Sequence, residues 1–164
     1  MSAVANSPTT IAPVHTLKES ARIRMYQRMY QDRNRGVAFL VIAVLFALIS
    51  ATPWGFAHIL GLAGAVFGGL LVVMFLFQGL GIVRRAGVWL RVGSLGSGVG
   101  SLILSPLLVQ QGLGFETPWQ SDFFVVLGIL FAPAGVLNLW SAYRGGSYDF
   151  RLRRTVTYDE LVGR

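Results

Sequence analysis

The stretch Arg84-Arg85-Ala86-Gly87-Val88-Trp89-Leu90-Arg91 constrains this chain more than any other, because a long, nearly uncharged apolar run lies on each side of it. An arginine at the centre of a membrane helix costs roughly 2.5–3.5 kcal/mol on insertion scales. Three so close together stay out of hydrocarbon. Each flanking run is long enough to cross a bilayer twice. The stretch therefore reads as a short basic connector between two membrane hairpins that hang from the same face.

Composition agrees. The 164 residues are 13% charged, about half the roughly 25% of a soluble domain. All fourteen lysines and arginines fall in three places, within 18–35, 84–91 and 144–164. Arg22, Arg24, Arg28, Arg33 and Arg35 form the first group, Arg84, Arg85 and Arg91 the second, and Arg144, Arg151, Arg153 and Arg154 lead the third. That is the positive-inside pattern, with arginines facing lipid headgroups on the cytoplasmic side. The net charge of +7 is thereby assigned to the lipid bilayer rather than to nucleic acid. Trp54 and Trp119 mark the outer interface, and Trp89 and Trp140 the inner one.

These observations predict an all-α integral membrane protein, a four-transmembrane-helix bundle of two hairpins with an N-terminal interfacial amphipathic helix. Residues 1–15, without Asp, Glu, Lys or Arg, read as a disordered tail. Residues 16–35 open on Thr16-Leu17-Lys18-Glu19, the spacing of a capping box. They continue as a cytoplasmic amphipathic helix, with Ala21, Met25 and Met29 toward lipid and long basic chains snorkelling to phosphates. A helix that binds a protein partner is the alternative. The transmembrane domain covers 36–143, with spans at about 37–52, 57–83, 92–111 and 123–143. The first of these is short for a ~30 Å hydrocarbon core. Ser121 or Asp122 is expected to cap the fourth, and Pro106 to bend the third. Residues 144–164 read as a polar cytoplasmic C-terminal tail. A bacterial inner (plasma) membrane is the expected location, ahead of an organellar one, with both termini in the cytoplasm.

Small residues recur at helical spacing in the middle spans. Gly61, Ala65 and Gly69 form one stripe, and Gly64 with Gly68 the next. In the third span Gly93, Ser97, Ser101 and Ser105 align, beside Gly96 and Gly100. Such stripes let helices approach closely in lipid, where burial alone supplies no drive. Spans two and three are therefore expected to form the packed centre, with Asn138 of span four as an interhelical hydrogen-bonding device. The triplet Thr52-Pro53-Trp54 recurs as Thr117-Pro118-Trp119, which leaves a duplicated hairpin open.

Chemistry-bearing constellations are sparse. The chain has no cysteine, which removes disulfides and thiolate metal sites. Neither a catalytic nor a metal constellation emerges, and none of the seven carboxylates falls inside a span, against a proton-coupled carrier. His58, at the outer end of span two, is the one candidate cofactor-binding residue, as an axial ligand to a haem or chlorophyll-type macrocycle. The function expected is non-enzymatic: an accessory or scaffold subunit of a larger membrane complex, respiratory or photosynthetic among the settings, or a self-associating protein. No cofactor beyond bound lipid is required. A small channel, transporter or membrane sensor is the alternative, and pigment or haem binding at His58 a further one.

Overall fold

The computed structural model describes residues 14–52 and 55–163; the side chains of 14–18 and 56–59 are outside that description. In chain order the elements are α1 (Val14–Gln31), α2 (Arg33–Ala51), α3 (Phe56–Arg84), α4 (Gly87–Leu113), α5 (Pro118–Arg144), β1 (Gly146–Asp149), β2 (Arg154–Thr157) and α6 (Tyr158–Val162). Four helical stretches are long and apolar enough to cross a membrane: Arg33–Ala51, Leu60–Arg84, Gly87–Leu113 and Pro118–Arg144. Of the expected tail at 1–15, residues 1–13 lie outside the described residues, as do Pro53, Trp54 and Arg164, while Val14 and His15 already belong to α1.

Each span begins or ends where backbone chemistry requires, and several limits differ from expectation. α2 starts at Arg33, because Asp32 accepts a hydrogen bond from the Asn34 amide at 3.0 Å and caps it. Its 19 residues give a rise of about 28 Å at 1.5 Å each, the first three of them the polar Arg33, Asn34 and Arg35. α3 is interrupted at Gly61, whose φ of 55° and ψ of −136° only glycine adopts readily. Thr117 holds the N-cap position of α5 without a side-chain capping bond and the helix starts with Pro118, so Ser121 and Asp122 lie within the helix rather than before it. The basic connector contracts to Arg85 and Ala86. Arg85 takes a left-handed conformation that ends α3, and Gly87 through Arg91 already belong to α4.

The spans pack chiefly on their chain neighbours: α2 on α3, α3 on α4, and α4 on α5 most extensively. Against α3, glycines of α4 act as notches for bulky residues. A Cβ at Gly93, Gly96 or Gly100 would come within 2.9 Å of Phe77, Val73 and Leu70 respectively. The expected centre at spans two and three gives way to a closer seam between α4 and α5. There a Cβ at Gly135 would meet the Gly98 carbonyl at 3.0 Å, one at Gly128 the Ser105 carbonyl at 2.7 Å, and one at Gly112 the Ser121 carbonyl at 2.9 Å. Small residues thus pair across antiparallel helices once every seven residues, the period at which a face returns in coiled-coil packing. The seam continues to the basic end, where the Arg91 Nε donates to the Ala142 carbonyl at 2.7 Å.

The two small stripes of α3 behave differently. Gly64 and Gly68 are buried, beside a core of Ala63, Leu70, Leu104 and Leu108 with Phe67, Phe124 and Phe131 packed against it. Gly61, Ala65 and Gly69 face outward instead, and a Cβ at Gly61 or Gly69 would meet nothing within 4 Å. Bulky apolar residues of α2 and α5, such as Val44, Leu48, Ile129 and Leu137, are also more than 45% exposed, as lipid-facing residues are in a membrane span. The Thr52 and Thr117 triplets do opposite work: Thr52 closes α2, its hydroxyl donating to the Ile49 carbonyl at 2.8 Å, while Thr117 opens α5.

Candidate functional site

The C-terminal segment expected as a tail is folded. β1 and β2 form an antiparallel hairpin with Gly146 opposite Thr157 and Asp149 opposite Arg154, so the chain is not wholly α-helical. The hairpin forms because Asp149 organises its turn. One carboxylate oxygen accepts the backbone amides of Arg151 and Leu152 at 2.7 and 3.1 Å, the Asx-turn chemistry that makes aspartate a turn residue. Arg153 takes a positive φ of 52° at the end of that turn. α6 follows at once, capped by the Thr157 hydroxyl on the Glu160 amide at 3.1 Å and closed by Gly163 in the left-handed region.

This unit packs on α1 and on the start of α4, making a cap at the basic end of the spans. Its core is Leu90, Val156, Tyr158, Leu161 and Val162, with Tyr26, Tyr30 and Leu152 against it. α1 therefore turns Tyr26 and Tyr30 toward the chain's own C-terminus, not toward lipid. Met25 and Arg24 remain on the outer face. Arg22 intrudes on the arc of α1 that carries Ala21, Met25 and Tyr26. The intrusion has a purpose: the Arg22 Nε donates to Asp149 at 2.7 Å, and the Tyr26 hydroxyl donates to the same oxygen at 2.7 Å.

Asp149 is buried, with 8% of its surface exposed. Burial pushes its carboxyl toward neutrality, but the Tyr26, Arg22 and two backbone hydrogen bonds outweigh that and hold it well below the usual carboxylate range. Arg22 is correspondingly raised, chiefly by its bond to Asp149. A second ionic knot ties α1 to α6. Arg154 binds Glu160 through two parallel contacts at 2.8 and 3.0 Å and reaches Glu19 at 2.8 Å. The geometry is the bidentate fork for which arginine is suited. It raises Arg154, and Arg154 in turn holds Glu160 below its ordinary range. Gln27 adds a bond to the Glu160 carbonyl at 3.2 Å. Glu19, expected in a capping box, is thus used in an ion pair.

Beneath the cap lies a cavity of about 90 Å³ lined by Tyr30, Met74, Gln78, Leu90, Ser94, Ser97, Asn138 and Tyr158. Four spans' worth of separation in sequence vanishes here, since α1, α3, α4, α5 and α6 each contribute a wall. Tyr158 and Ser94 close it with a hydroxyl–hydroxyl hydrogen bond of 2.5 Å. Burial raises the phenols of Tyr30 and Tyr158 above their ordinary value. Asn138, expected as a packing amide, and Ser97, expected in a packing stripe, both face this space. Gln78, Ser94 and Tyr158 join them.

Three further arginines stack on aromatic rings at the basic end of the spans. Arg35, Arg84 and Arg144 sit over Phe39, Trp89 and Trp140 at 5.4, 5.7 and 4.8 Å from the ring centroids. Such stacking keeps a guanidinium at the level of an aromatic belt. His58 belongs to the first turns of α3, ahead of the break at Gly61; its side chain is outside the described residues. No family model, curated protein or solved structure matches the chain.

Proposed function

We infer that the chain is a non-enzymatic multi-pass membrane protein acting as an accessory or scaffold subunit of a larger membrane assembly. The basic end, with the cap, then faces the cytoplasm of a bacterial inner membrane by the positive-inside rule. The feature that supports this role best is the open small-residue face of α3. The glycine notches of α4 and α5 described above are filled by the chain's own atoms, whereas Gly61 and Gly69 of α3 leave free space beyond them, and Ala65 lies exposed one turn from each. A small-residue face on a lipid-exposed helix admits close approach by a helix from another chain.

Affinity purification from native membranes in mild detergent tests this. A companion polypeptide, or a second copy, is expected to follow the wild-type protein and to fall at least tenfold with Gly69→Leu, while the monomer stays folded. A protein that purifies alone, with Gly69→Leu behaving as wild type, overturns the subunit role. The second function, a small channel, transporter or sensor, is favoured by the polar cavity under the cap, and solute flux in liposomes is its test. A macrocycle at His58 would give a Soret or near-infrared band in the purified protein.

A further inference from the structure

The cavity under the cap carries chemistry that neither helix packing nor the ionic knots use. Gln78, Ser97 and Asn138 each stand six residues inward from an arginine of the basic end, Arg84, Arg91 and Arg144. At 1.5 Å per residue they share a depth about 9 Å inside that ring. Ser97 is only 7% exposed, Gln78 and Asn138 are half-buried, and all three line this space. Amides and hydroxyls that line a cavity can hydrogen-bond to whatever fills it, water or a ligand. No charged side chain lines the space, so an ion would enter without compensation. Amides and hydroxyls offer donors and acceptors together. The 90 Å³ available corresponds to about three waters at roughly 30 Å³ each.

We propose that this cavity binds a small uncharged solute bearing both a hydrogen-bond donor and an acceptor, such as a short amide or polyol, held by Gln78 and Asn138 from the bundle and by Tyr158 from the cap. The same solute then bridges two parts of the molecule. Tyr158 belongs to α6, and its hydroxyl already meets Ser94 of α4 at 2.5 Å. Occupancy adds contacts that exist only when the cap is closed, so binding favours the closed cap to the extent of that difference. The site stands apart from the subunit role, since Gly61, Ala65 and Gly69 do not line it.

The test uses the full chain in nanodiscs, with amide hydrogen exchange of residues 146–162 followed against acetamide and glycerol, and against acetate and methylammonium as charged counterparts. Exchange in the cap is expected to slow saturably with a neutral probe and to show no saturable response to the charged ones. Asn138→Leu should raise the half-saturating concentration at least tenfold. Ser97→Ala, which removes one hydroxyl and leaves the helix backbone untouched, should raise it severalfold with basal cap protection unchanged. Absence of saturation with both neutral probes means that the space holds water only and overturns the proposal. An equal response in wild type and Ser97→Ala, the mark of a general cosolvent effect, also overturns it.

Discussion

Replacing Asp149 by asparagine tests whether the cap is a latch held by one carboxylate. Asp149 uses both oxygens: Oδ2 accepts from Arg22 and Tyr26, each at 2.7 Å, and Oδ1 accepts from the amides of Arg151 and Leu152. An asparagine has one oxygen. If it serves the turn, its amino group faces the Arg22 guanidinium and Tyr26 hydroxyl; if it serves Arg22, two turn amides lose their acceptor. Hydrogen bonds to charged groups contribute about 1.5–3 kcal/mol each, and one side of the carboxylate is lost either way, so the cap should weaken by about 2–4 kcal/mol. At about 1.4 kcal/mol per tenfold, that is roughly a 30- to 1,000-fold rise in the population of the open cap.

Hydrogen exchange in nanodiscs reads this directly, because opening the cap is a sub-global event. Residues 146–162 and the Tyr26 face of α1 should lose protection, while α3 to α5 keep theirs. The acid response follows from the same carboxylate. Its folded pKa lies below the unfolded value of about 3.9, so its contribution is fully present above that value and is lost as pH falls through the folded pKa. Glu160, also lowered, adds in the same direction. The wild-type cap should therefore hold at neutral pH and open progressively below about pH 4, and Asp149→Asn should flatten the part due to Asp149. Unchanged protection in Asp149→Asn, or loss spread evenly over the spans, would refute the latch.

Three other substitutions probe the bundle and its junction with the cap. Gly98→Ala places a methyl 2.7 Å from the Leu139 side chain and 2.9 Å from its backbone nitrogen; overpacking of this kind costs about 1–3 kcal/mol, measurable by steric trapping, with Gly69→Ala expected to be neutral. Leu104→Ala empties a fully buried position. Because lipid offers a leucine an environment as apolar as the core, only packing is lost, and the cost should fall near the low end of the range for such truncations, about 2 kcal/mol. Tyr158→Phe removes the bond to Ser94 and should loosen α6 by about 1 kcal/mol, seen as severalfold faster exchange confined to the cap.

What the sequence revealed followed the range of the forces involved. Four spans and their basic and aromatic ends rest on hydropathy and on charge position, both of which act residue by residue, and they are visible at Arg84, Arg144, Trp89 and Trp140 without any knowledge of packing. The helix ends were off by a few residues where local backbone chemistry decided them, since the Asp32 cap is a single hydrogen bond and the start of α5 is set by Pro118 at its first position, neither of which hydropathy registers. The α4–α5 seam was missed because a search at four-residue spacing groups Ser105 with Gly93, Ser97 and Ser101 rather than with Gly98 and Gly112, with which it repeats at seven, as their counterparts Gly128 and Gly135 do. The cap was missed for a different reason. Asp149 and Arg22 are 127 residues apart, and nothing local says that they meet. The available clue was negative: an arginine on the helix arc that otherwise carries methionines and tyrosines. Such a residue is costly to leave against lipid without a partner, so its presence implied a carboxylate elsewhere in the chain or in another. Of the seven carboxylates, Asp149 follows Gly146-Ser147-Tyr148 and precedes Phe150-Arg151, a turn composition next to alternating Tyr148 and Phe150. That combination, an intruding arginine and an aspartate in a turn beside aromatic residues, is the pair of signals from which the cap was legible.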